Sequence, residues 1–96
     1  MRRYGKKDDN HNQIVKDLQG IGFGTLDLSS LGDDVPDLLI SRNGLSALVE
    51  IKVPGKNPNK TQKEWADKWP GECFCAHSAE EVYEKWQAYS KRKLFA

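Results

Sequence analysis

Near the start of the chain, Ile14, Val15, Leu18 and Ile21 recur at the three- and four-residue spacing of one helix face. The pattern predicts a first helix from about residue 9 to Gly20, with Asp8 or Asp9 as its cap. The glycine-rich run Gly20-Ile21-Gly22-Phe23-Gly24 should stop it. A short strand over about 25–28 follows, and the apolar runs 38–41 and 47–53 read as two more strands. Asn43-Gly44 lies between those two, a strong hairpin signal because both residues tolerate the positive φ of a type I′ turn. Val53-Pro54-Gly55 ends the third strand. Thr61 and Glu64 have capping-box spacing and open a predicted helix that carries Trp65 and Trp69 and closes at Pro70-Gly71. Residues 73–76 alternate as a fourth strand, and Ser78-Ala79-Glu80-Glu81 starts a last helix with Val82, Trp86 and Tyr89 inward. The expected fold is α/β: an αβββαβα order with one small mixed sheet flanked by helices.

Composition narrows the function classes. The 96 residues suffice for a single domain, and no internal repeat or low-complexity stretch divides them. Hydrophobic residues make up 38% and charged residues 30%, an ordinary globular profile rather than a disordered one. Lys and Arg (15) nearly balance Asp and Glu (14), so any contact with nucleic acid must come from charge segregation. Such segregation is visible: Arg2, Arg3, Lys6 and Lys7 crowd the start, Lys52, Lys56, Lys60 and Lys63 the middle, and Lys91, Arg92 and Lys93 the end. The basic termini, 1–8 and 91–96, read as mobile arms on a duplex or as solubilising tails. Cys73 and Cys75 are too few for a disulfide framework or a four-ligand zinc site, and read as small half-buried residues in a reducing compartment. No signal peptide and no apolar run long enough to span a membrane is present, so a cytoplasmic location is expected.

The hairpin signal also sets a register. Counting back from Asn43-Gly44, Arg42 pairs with Leu45, Ser41 with Ser46, and at length Asp37 with Glu50. Directly paired residues hold their Cβ atoms ~4.5–5.5 Å apart, where two carboxylates repel unless something positive lies between them. Mg²⁺ suits such a pair, because it takes one or two carboxylates and keeps positions for water and a substrate phosphate; Mn²⁺ is the alternative. Lys52, two residues beyond Glu50, projects from the same face, and the Ile51 carbonyl offers a further oxygen ligand. Two acids and a lysine on one surface suit phosphodiester hydrolysis. The metal would polarise the phosphate and activate water, and the lysine would orient that water or offset the charge that develops.

Pro36-Asp37 followed thirteen residues later by Glu50-Ile51-Lys52 resembles the signature of the PD-(D/E)XK nuclease superfamily, and the element order resembles its core. Within that superfamily the chain is similar to small phage VRR-NUC-type nucleases, which are themselves similar to archaeal Holliday junction resolvases. The likeness covers about residues 8–83. It includes Asn10, Ile14-Val15 and Leu18; Gly32 and Pro36-Asp37-Leu38-Leu39; Val49-Glu50-Ile51-Lys52; and Gln62, Trp65 and Trp69-Pro70-Gly71. The resemblance implies that Asp37, Glu50 and the Ile51 carbonyl hold metal, that Lys52 serves the water, and that Gln62 positions phosphate or the lysine. It implies a homodimer on branched DNA, in the cytoplasm of a bacterial host if the chain is phage-encoded. The family often carries an acid on the first helix, where this chain aligns Gln13. An amide there reaches a metal only through water. Either Asp8 or Asp9 supplies the acid, or the site binds metal more weakly.

The other features have plainer readings. Trp65, Trp69 and Trp86 read as core and interface packing, with base stacking as the alternative. Lys56, Lys60 and Lys63 follow the Glu50 strand and, with Arg2, Arg3, Lys6 and Lys7, are the candidate DNA contacts. His11 and His77 read as surface or helix-start residues rather than ligands. A two-fold interface would use the last helix, through Val82, Tyr83, Trp86 and Tyr89, or the Trp65 helix. The expected function is a metal-dependent DNA endonuclease acting on branched DNA as a homodimer. Its rivals are a general or nicking nuclease on linear DNA, and a catalytically weakened module that binds nucleic acid or protein.

Overall fold

A computed structural model describes residues 10–32 and 34–95. Its elements are α1 (His11–Gly20), β1 (Gly24–Asp27), a single 3₁₀ turn (Ser29–Leu31), β2 (Leu38–Arg42), β3 (Leu45–Ile51), α2 (Lys60–Lys68), β4 (Cys73–Ala76) and α3 (Ala79–Leu94). The αβββαβα order is the one the sequence predicts. The four strands form one sheet in the order β1-β2-β3-β4; the first three run antiparallel and β4 lies parallel to β3 across the α2 crossover.

The first helix ends where glycine allows it. Gly22 takes a φ of 99°, and the amides of Gly22 and Phe23 reach back to the carbonyls of Gln19 and Leu18. That is the Schellman closure, with Phe23 folded onto buried Leu18. The start differs from expectation. Asn10 is the N-cap, and Asp8 and Asp9, the expected caps, lie outside the described residues. Asn10 makes no side-chain cap bond, because its amide is drawn across the fold to the carbonyls of Lys52 and His77.

Strand alternation sorts the sheet's two faces. Leu38 and Ile40, Ala47, Val49 and Ile51, and Ala76 point into a core completed by Ile14 and Leu18 of α1 and by Val82, Trp86 and Tyr89 of α3. Glu50, Cys73 and Cys75 point the other way, toward α2. α2 is capped two residues before the predicted box. Asn59, not Thr61, is its cap, and Gln62, not Glu64, closes the box by accepting from the Asn59 amide. α2 has no buried residue.

Burial corrects two expectations, and the extent of α3 bears on a third. Trp86 is in the core at 4% exposure, but Trp69 is 42% exposed and Trp65 only half-buried, so the three tryptophans do not share one role. Val82, Trp86 and Tyr89 are taken up by the protein's own core, so of the four α3 residues expected at a two-fold interface only Tyr83, half-buried, keeps surface to offer. Lys91, Arg92 and Lys93 continue α3 to Leu94 rather than forming a loose tail; there they complement the negative end of the helix dipole, and Arg92 reaches Glu72 at 2.9 Å. Arg2, Arg3, Lys6 and Lys7 fall outside the described residues. Among the described residues, no helix is long and apolar enough to cross a membrane.

Candidate active site

The hairpin holds the register that its turn dictates. Asn43 and Gly44 have φ of 54° and 80°, and the pairs run without a bulge from Arg42–Leu45 back to Leu38–Val49. The ladder stops one pair short of Asp37 and Glu50. Instead of facing Glu50 as a ladder partner, Asp37 turns its Oδ2 to accept from the Ile51 amide at 2.8 Å. Its own carbonyl accepts from the Leu28 amide at 2.8 Å. Asp37 is therefore held between β1 and β3. In an extended strand the N–H and C=O of one residue leave on the same edge, so the Ile51 carbonyl faces the Asp37 side as well.

Glu50 is 7% exposed, a depth at which a carboxylate needs charged or hydrogen-bonding company. Gln62 Nε2 donates to its Oε2 at 3.1 Å, and Lys52 Nζ lies 3.7 Å from the same oxygen. The partner of Gln62 is thus Glu50, a contact the sequence reading did not assign to it. Glu50, Lys52 and Gln62 thus meet where α2 faces β3, and Asp37 is tied to the next residue of that strand, Ile51. A cleft of about 230 Å³ opens beside them, lined in part by Pro36, Glu50, Gln62 and Lys63.

Gln13 stands apart. Its amide donates to Asp17 at 2.8 Å, and it lines a larger depression of about 850 Å³ between α1 and α3 that contains neither Glu50 nor Asp37. Asn10 is the α1 residue that reaches toward the site strand, through the Lys52 carbonyl at 3.3 Å. Its Oδ1 is buried without a hydrogen-bond partner among the described residues. His11 is not a surface residue: it is 1% exposed, with Nε2 3.9 Å from the Asp27 carboxylate at the end of β1. Neither arrangement could be read from local pattern, since both depend on how α1 docks.

His77 ties the loop after β3 to α3. Its Nδ1 lies 2.8 Å from Glu81 Oε1 and its Nε2 2.7 Å from the Lys56 carbonyl. The Lys56 carbonyl and the Glu81 carboxylate raise the imidazole pKa above its ordinary value. Burial by itself would raise the pKa of Glu81, but the hydrogen bonds from His77 and the ammonium of Lys85 outweigh it and bring the carboxyl down to about 2. Lys56, Lys60 and Lys63 are exposed, as a phosphate contact requires. Burial, with Glu50 and Glu72 nearby, pushes the Cys73 thiol up to about 11, and burial also raises Cys75; both are free thiols and poor nucleophiles.

Among the described residues, no three His, Cys, Asp or Glu side chains cluster closely enough to hold a metal ion alone. The expected donors, two carboxylates and one carbonyl, are all oxygen, a chemistry that would suit Mg²⁺ or Mn²⁺ rather than a thiophilic metal. Compared with protein-family models, curated proteins and solved structures, the chain matches none.

Proposed function

We propose that the protein is a metal-dependent DNA endonuclease of the PD-(D/E)XK type. The observation that carries this reading is the Glu50 carboxylate, buried near the end of β3 with Lys52 Nζ 3.7 Å away and Asp37 anchored to the adjoining Ile51 amide. A buried acid coupled to a lysine is a poor choice for stability alone, because desolvating both groups costs as much as their attraction returns. Asp37, Glu50 and the Ile51 carbonyl would hold Mg²⁺ or Mn²⁺, which when bound polarises the phosphate and acidifies water. Lys52 offsets negative charge on the non-bridging phosphate oxygens as the bond to the leaving oxygen breaks. Gln62 keeps Glu50 oriented. Lys56, Lys60 and Lys63 bind flanking phosphates, which positions the strand without reading its sequence.

All four side chains come from one chain. A second copy would therefore add a second cut, as on a branched substrate, rather than complete the first.

The test incubates purified protein with end-labelled four-way junction, linear duplex and single strand in Mg²⁺, Mn²⁺ or EDTA, beside Glu50→Gln. The expected result is divalent-dependent cleavage that falls at least ~10³-fold in the variant. Cleavage that persists in EDTA or in Glu50→Gln overturns the assignment.

A further inference from the structure

Two of the three tryptophans lie outside the core, close in sequence to Gln62 but not among the residues that line the cleft beside Glu50. Gln62 and Trp65 lie about one turn apart on α2 and Trp69 is its C-cap, while the α2 residues that line the cleft are Gln62, Lys63, Ala66 and Asp67. Trp65 is ~5 Å and Trp69 ~10 Å along the axis from the residue that touches Glu50. Their indoles stack on each other, with centroids 5.1 Å apart and planes 17° from parallel. Trp86 shows the ordinary fate of such a side chain: it sits edge-on to Phe23 and Tyr89 and is covered by them. The α2 pair is instead left with aromatic surface in water, where an indole forfeits the largest hydrophobic gain of any residue.

The pair is also seated. Gly71 keeps an ordinary negative-side backbone, so conformation does not require glycine there. A β-carbon at residue 71 would lie 2.8 Å from Trp69 Nε1, so any other residue there would make the indole shift. The missing side chain lets the Trp69 ring settle against the turn that follows α2.

The charge around this pair is segregated. Residues 52–68 carry Lys52, Lys56, Lys60, Lys63 and Lys68 against only Glu64 and Asp67, in a chain whose net charge is +1. The rest of the molecule is therefore net negative. A partly exposed aromatic stack in a lysine-rich stretch of loop and helix complements a base joined to its phosphates. It does not complement an apolar peptide or a paired duplex, whose bases offer no free face.

We infer that the Trp65–Trp69 stack is a platform for an unpaired nucleobase, so that the neighbouring site takes a strand with unpaired nucleotides next to the scissile phosphate. The substrate class rests on the nuclease reading of Glu50; the stacking itself does not. The base lies against the outer face of the stack, and the lysines hold the phosphates on either side.

The experiment titrates the Glu50→Gln protein in EDTA with labelled oligothymidylate and with blunt duplex of equal length, following anisotropy and tryptophan fluorescence. Saturable quenching by the single strand is expected, with at least ~10-fold tighter binding than to duplex. Trp69→Ala and Trp65→Ala should each weaken single-strand binding by ~5- to 150-fold, the range for loss of one base–aromatic stack. Gly71→Ala, which keeps both indoles but displaces one, should weaken it in the same direction. Equal affinity for the two substrates, or unchanged binding in Trp69→Ala, overturns the inference. So does a dimer in sedimentation that Trp69→Ala dissociates, since a second copy would then be what covers the stack. Binding that behaves as expected in a protein that cleaves nothing refutes the nuclease reading and leaves the platform standing. Cleavage with no preference for unpaired strands does the reverse.

Discussion

The amide of Gln62 is shared between two jobs: its Nε2 donates to Glu50 Oε2 at 3.1 Å, while its Oε1 accepts from the Asn59 N–H at 2.9 Å. The residue that closes the cap of α2 therefore also orients the buried carboxylate of β3, and helix start and candidate site are one structure. Gln62→Glu separates the roles. A glutamate at this position closes the same capping box but sets a second carboxylate against Glu50. Helicity by circular dichroism should persist, nuclease activity should fall at least ~10-fold, and the acid limb of its pH profile should move upward as Glu50 becomes harder to ionise. An unmoved pH profile would reduce Gln62 to a cap.

Asp37 has a structural bond and a proposed metal. Asp37→Asn keeps an oxygen for the Ile51 amide, so its cost should stay near ~1 kcal/mol, the gap between a charged and a neutral hydrogen bond. It removes the charge that would hold a cation. Thermal unfolding with and without saturating Mg²⁺ or Mn²⁺ should show a metal-linked rise in Tm for the wild-type chain and little or none for the variant. Equal rises in both would place the cation elsewhere.

The His77 clasp makes stability depend on pH from two sides. Both ring nitrogens face acceptors, Glu81 Oε1 and the Lys56 carbonyl, so the imidazolium satisfies the geometry and the neutral ring leaves one nitrogen opposed to an oxygen. Because the folded-state pKa of His77 is raised, its contribution is complete below the ordinary value of 6.5 and is lost as pH climbs through the raised one. Because that of Glu81 is lowered from 4.5 to about 2, its contribution is present above 4.5 and is lost as pH falls toward 2. Urea unfolding of His77→Gln against the wild-type chain should thus show its largest deficit between those two ordinary values, narrowing on both sides. A pH-independent difference would contradict the clasp.

Trp86 and Trp69 make a matched pair for stability. Trp86→Ala empties a core position packed on Phe23 and Tyr89 and should cost ~3–5 kcal/mol. Trp69→Ala removes a ring that is 42% exposed and should cost under ~1 kcal/mol. Chemical denaturation of the two variants checks this, and comparable losses would mean that α2 is a structural prop rather than a surface.

Much of the site was legible because the physics that builds it is short-range. Asn43-Gly44 selects a tight turn, the turn sets the register, and strand alternation then places Glu50 and Lys52 on one face with Asp37 at its edge. Of these steps only the placing of Asp37 also draws on a partner outside the hairpin, the Leu28 amide. Where two local solutions were equal, local pattern failed. Thr61 with Glu64 and Asn59 with Gln62 are both acceptable boxes; the second forms, with Gln62 also held by Glu50 twelve residues away.

The sequence by itself determined the αβββαβα order, the hairpin register from Arg42–Leu45 to Leu38–Val49 and the placing of Lys52 beside Glu50, since periodicity and turn chemistry act over a few residues. Only the tertiary structure decided which tryptophans are covered, that His11 is buried beside Asp27, that Asn10 rather than Gln13 reaches the site strand, and that Asp37 binds the Ile51 amide. Burial and long-range hydrogen bonds depend on what the rest of the chain brings to a surface, and the same helical spacing serves Trp86 in the core and Trp69 in water.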